Sequence, residues 1–153
     1  MSGYEFYGTE PGYLPSFMND KKDPDSGTVV RLSAEETRRL RAESLTRFPV
    51  AGGADLDWSR ARYTDRVVCE TDEDWGRAAA AYLSPYAGEG RQVALFWGDL
   101  SMPDVTMPVD VAIRRAEDLM DADMHFWMHP IGVPVLIEYL QDGQVTVAPV
   151  PSD

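Results

Sequence analysis

The sequence holds a single cysteine, Cys69, among its 153 residues. An intramolecular disulfide is therefore excluded, and a reducing cytoplasm is the expected home. It has two histidines, His125 and His129. With one cysteine they cannot supply the four ligands of a structural zinc site. No apolar run reaches the roughly 18 residues of a membrane span. The opening stretch MSGYEFYGTEPGYLP lacks a basic start and an apolar core, so no signal peptide is expected. Catalytic motifs are absent too: there is no G-x-S-x-G elbow and no phosphate-cradling G-x-x-x-x-G-K-[ST]. Positive charge is scarce. Lysine and arginine total 14 against 26 aspartates and glutamates, a formal net charge of -12. Such a charge repels nucleic acid and anionic membranes and draws cationic partners. Neither nucleic acid nor membrane is an expected partner.

What is present suits one globular domain. Hydrophobic residues make up 44% of the chain, enough for a real core, and the length matches one domain of about 150 residues. Residues 1–28 are broken by Gly3, Gly8, Pro11, Gly12, Pro15, Pro24 and Gly27 and read as an irregular N-terminal segment. Their aromatic content implies that part of them packs on the domain at 29–153. Residues 19–27, NDKKDPDSG, read as a solvated loop. Acidity is uneven: residues 1–100 carry 12 basic and 17 acidic side chains, residues 101–153 carry 2 and 9.

The pattern predicts α+β architecture. Ser33 and Glu36 form a capping box that starts a helix over about 34–47. RVVCE (66–70) reads as a short strand. Thr71 caps a second helix whose first turn holds Asp72, Glu73 and Asp74, acids suited to the positive end of the helix dipole. QVALFW (92–97) is apolar on both faces, as a central strand is. Val105 and Met107 suggest a short extended piece. Val109, Ala112, Ile113, Ala116 and Met120 recur at helical spacing, with Asp110–Arg114 and Arg114–Asp118 as i,i+4 pairs. Three strands follow, at 124–128, 133–140 and 144–148. Asp142-Gly143 predicts a two-residue type I′ turn that pairs Leu140 with Val145 and Glu138 with Val147. The expected fold is a largely antiparallel sheet with about three helices packed on one face and a C-terminal β-meander.

Candidate chemistry is thin. His125 and His129 in a strand lie roughly 13 Å apart, too far to share a metal. No metal and no cofactor are expected. Cys69 sits among Val68, Glu70 and Asp72, whose negative field opposes a thiolate. Gly88 and Gly90 in AGEGR lack the preceding strand of a nucleotide site. Glu138 falls on an apolar face in the predicted register, with Leu136, Leu140, Val145 and Val147. A carboxylate there is a general acid with a raised pKa, a sheet-edge group with solvent reach, or the structural partner of an arginine. Asp99 and Asp104 flank a loop after the central strand. Trp97, Asp99 and Glu138 outline an alternative pocket for a small enzyme or small-molecule-binding domain. No catalytic residue is assigned.

FWGDLSMPDVTMP (Phe96 to Pro108) and the hairpin VLIEYLQDGQVTV (Val135 to Val147) resemble segments of small acidic bacterial proteins found beside polymorphic toxins. The resemblance to toxin-immunity proteins covers the last third of the chain and implies a stoichiometric inhibitor with a basic toxin domain as its protein partner. No residue role carries over. The acids read as partner-binding are Asp72, Glu73, Asp74, Asp99, Asp104, Asp121 and Asp123. A scaffold subunit whose acidity serves solubility alone is the third reading.

Overall fold

The computed structural model describes residues 6–52 and 55–152. In chain order its helices are α1 (Ser16–Asn19), α2 (Ala34–Ala42), α3 (Asp72–Leu83), α4 (Val109–Arg114) and α5 (Ala116–Met120). Its strands are β1 (Val30–Arg31), β2 (Asp65–Val68), β3 (Gln92–Trp97), β4 (Val105–Pro108), β5 (His125–Pro130), β6 (Val135–Leu140) and β7 (Gln144–Pro149). The strands form one sheet in the order β1-β4-β3-β5-β6-β7-β2, every neighbouring pair antiparallel. The fold is α+β. Among the described residues no helix is long and apolar enough to cross a membrane.

Local sequence sets the helix starts. Ser33 Oγ accepts the Glu36 N–H (3.1 Å) and Glu36 Oε1 accepts the Ser33 N–H (3.0 Å), closing the capping box. Thr71 Oγ1 accepts the Asp74 N–H (3.1 Å) in the same way. Helix ends depart from the periodic pattern. α2 stops at Ala42, because Ser44 leaves the helical region (φ -144°, ψ -85°) and its hydroxyl turns back to the Leu40 carbonyl at 2.9 Å. The predicted helix over 109–120 breaks at Arg115 (φ -104°, ψ 15°) into α4 and α5.

That break has a reason in charge. The Arg115 guanidinium reaches Asp23 (2.6 Å) and Asp25 (2.9 Å), and Arg114 pairs with Asp25 (2.6 Å) rather than with Asp110 or Asp118. The segment read as a solvated loop is thus clamped by two arginines. The hydrogen bond from Arg115 holds the Asp25 carboxyl below the usual carboxylate range. Leu14, Phe17 and Met18 are buried alongside.

β3 explains the layering. Val93, Leu95 and Trp97 point to one face, where they join Phe126, Met128, Ile137, Tyr139 and Val145 beneath α1, α3, α4 and α5. Ala94 and Phe96 point to the other, with Trp127, Leu136 and Ala148 under Leu40 of α2, Leu45 and Phe48. A strand apolar on both sides needs both sides covered. Four helices, α1 and α3 to α5, therefore share one face, whereas α2, expected beside the others, closes the opposite one together with residues 45–52 and 55–61.

The C-terminal hairpin differs from expectation by one residue. The Gly143 N–H donates to the Leu140 carbonyl (2.9 Å), so the loop is Gln141-Asp142-Gly143, with Gly143 at φ +95°. A three-residue loop closing on a left-handed glycine replaces the two-residue type I′ turn. Tyr139 now pairs with Val145, Glu138 with Thr146 and Ile137 with Val147. Val145 and Val147 thereby move to the α3 face, and Glu138 shares its side with Leu136, Thr146 and Ala148.

Candidate functional site

Antiparallel order brings four turns to one end of the sheet: the entry to α3, the exit of β3, the entry to β5 and the β6–β7 loop. Most of the acids singled out from sequence sit there. Asp72 and Glu73 are exposed in the first turn of α3. Asp99 is exposed after β3; its Oδ1 accepts from Ser101 N–H (2.9 Å), and its own N–H donates to Asp123 Oδ2 (3.0 Å). Asp121 is exposed before β5. Asp74 is partly spent, since its Oδ2 accepts the Glu70 N–H (3.1 Å) and Oδ1 meets Arg77. The Glu70 backbone bond, first among several causes, holds its carboxyl below the ordinary range.

Asp104 does not belong to this surface. It is fully buried, where no partner reaches it. Its Oδ2 accepts from Arg41 Nε (2.8 Å) and the Thr37 hydroxyl, its Oδ1 from Arg41 Nη2 (3.0 Å) and the Trp97 N–H (2.9 Å). Arg41 also donates to the Trp97 carbonyl (3.0 Å). The Tyr7 hydroxyl accepts the Asp104 N–H (2.7 Å) and donates to the Leu32 carbonyl (2.8 Å). Burial, first, and then the Asp104 charge raise the Tyr7 phenol to about 12. Asp104 is a structural centre tying α2 and the N-terminal segment to β3 and β4.

The acidic end is concave. A cleft of about 530 Å³ is lined by Glu70, Asp72, Trp75, Tyr139, Gln141 and Asp142. A second, about 330 Å³, is lined by Met120, Asp121, Asp123, Met124 and Gln141. The two share Met120 and Gln141, and no lysine or arginine lines either. Sequence reasoning missed Glu70 and Asp142, one read as a strand end and the other as a turn residue. The signal available was topological: both turns must emerge at the end where β6 stops.

The alternative pocket is not assembled as predicted. Trp97 is buried on the α3 face, its Nε1 donating to the Pro103 carbonyl (3.0 Å). Asp99 stays outside, and Glu138 lies on the opposite face. There Glu138, 2% exposed, accepts from Trp58 Nε1 (2.9 Å) and Trp127 Nε1 (2.9 Å), with His125 Nε2 at 3.0 Å. A cleft of about 460 Å³ beside it is lined by Asp55, Leu56, Trp58, His125 and Leu140. Both carboxylate oxygens are engaged, so Glu138 serves as a clasp that fastens the segment carrying Trp58 onto the sheet. Its partners are two indoles and an imidazole, not an arginine.

The remaining reactive groups are quiet. Cys69 is half-buried just beyond β2, and burial, then the Asp74 charge, raise its thiol pKa. His129 lies in β5 with Nδ1 2.9 Å from the Val135 carbonyl; burial lowers its pKa. No known family model matches the chain, and no curated protein matches it in sequence.

Proposed function

We propose that the protein is a stoichiometric binding module that docks a basic protein partner on the acidic end of its sheet. The partner is a toxin domain that it neutralises. One observation carries the reading. Glu70, Asp72, Asp121, Asp123 and Asp142 converge on two adjoining clefts without a single lining lysine or arginine. No lysine or arginine follows Arg115 in the sequence. Away from this end, Asp25 and Asp104 are each paired with arginine.

A toxin that acts on nucleic acid needs a cationic cleft, because phosphates dominate that binding. An acidic face complements such a cleft and speeds its capture. The two segments resembling immunity proteins each contribute an acid here, Asp99 and Asp142. The lone cysteine supports a reducing, cytoplasmic setting.

The test is a heteronuclear NMR titration with a decalysine peptide. Shifts should concentrate at residues 70–73, 99–101, 120–124 and 141–143 and fade as salt is added. Shifts scattered evenly over the molecule, or insensitive to salt, would refute the assignment of this end.

A further inference from the structure

Tyr139 is the unusual group at the acidic end. Its ring lies 4.8 Å from that of Trp75 and 5.0 Å from that of Phe126, and the residue is 3% exposed. Its hydroxyl has no hydrogen-bond partner among the described residues and opens on the 530 Å³ cleft, which the side chain lines together with Asp72 and Asp142. The charges of Asp72, Asp121 and Asp142 act on the phenol and, after burial itself, raise its pKa. The hydroxyl therefore keeps its proton and leaves its oxygen free to accept. Among the described residues, Glu70, Asp72 and Asp142 at the rim take part in no salt bridge. The volume falls within the range of ligand clefts, about 300–1,000 Å³.

We infer that this cleft receives one arginine side chain of the basic partner. Asp72 and Asp142 pair with the guanidinium, the Tyr139 hydroxyl and the Gln141 amide oxygen accept further N–H bonds, and the side chain's methylenes cover the apolar floor. Arginine suits the site better than lysine because its planar fork presents five donors to acceptors spread around a rim, whereas an ammonium is a point charge with three. Buried arginines are typical interface anchors. The inference rests on the docking surface proposed above and names the chemistry at its centre.

The probe is Nα-acetyl-arginine methylamide, compared by NMR with its lysine and citrulline counterparts. The arginine compound should shift Tyr139, Gln141 and the Trp75 indole resonance. The lysine compound should bind several-fold more weakly, and the neutral citrulline compound should leave those resonances unmoved. Tyr139→Phe should weaken arginine binding by roughly three- to tenfold with the melting temperature almost unchanged, since the hydroxyl holds no partner in the fold. Asp72→Asn with Asp142→Asn should abolish it. Equal binding of citrulline or lysine, no shift with arginine, or indifference to Tyr139→Phe would overturn the proposal. If decalysine still maps to this end while the arginine compound fails, the cleft is refuted and the docking surface stands. If both fail, the two fall together.

Discussion

Asp104→Asn should cost on the order of 3–5 kcal/mol of folding stability, the range for breaking a buried ion pair by removing one partner. For a chain of this length that is a fall in melting temperature of roughly 10 °C. The substitution keeps size and shape but removes the charge that Arg41 was buried to meet, and it turns an NH2 group towards donors. Arg41, the Trp97 N–H and the Thr37 hydroxyl all aim at this carboxylate. The double variant Arg41→Met with Asp104→Leu should lose clearly less than Asp104→Asn alone, because it leaves no buried charge unpaired. Thermal melting of the two variants checks both statements. A melting temperature for Asp104→Asn within a degree or two of wild type would mean that Asp104 is solvated.

Gly143→Val is the second large effect, about 3 kcal/mol or more. Two costs combine. At φ +95° a β-branched residue is strained. A Cβ at this position would also run into the Cys69 carbonyl oxygen, which belongs to the backbone and cannot swing away. The Cys69 N–H donates to the Gly143 carbonyl at 2.7 Å, so the β2 edge and the hairpin are locked at this point. Gly132 separates the two costs. It has φ +86° but nothing within 4 Å of a Cβ. Gly132→Ala should cost about 1 kcal/mol, the strain alone, and Gly143→Ala clearly more. Equal losses in denaturant titrations would show that Cys69 yields.

The parts legible in the sequence were those written locally. The capping box at Ser33, the Thr71 cap, the double-faced run at 92–97 and the strand at His125 each need only a few neighbouring residues to be recognised. The turn at Asp142-Gly143 was legible as a turn but not in its length. Both two-residue and three-residue loops accept glycine at a left-handed position, and that one residue decided where Val145 and Val147 face. Asp104 was illegible for a different reason. Its partners Thr37 and Arg41 stand one turn apart on α2, far away in sequence. Arg41 falls within the helix predicted over 34–47, where nothing in its immediate neighbours marks it as the buried partner of an acid. Glu138 is similar: the register placed it on an apolar face, but its donors come from Trp58, far away in the chain between α2 and β2, and from the paired strand β5. Individual acids could be counted along the chain, whereas their gathering at one end depends on where antiparallel strands stop.

The most direct measurement is the association rate with a basic, nucleic-acid-cleaving toxin domain, at low and high salt. It compares wild type with the variant Asp72→Lys, Glu73→Lys and Asp121→Lys, three positions exposed enough for the fold to survive. The account predicts a wild-type rate that is fast at low salt and falls steeply as salt rises, with the variant slow and nearly salt-independent. Equal rates for the two proteins at both salt concentrations would contradict it.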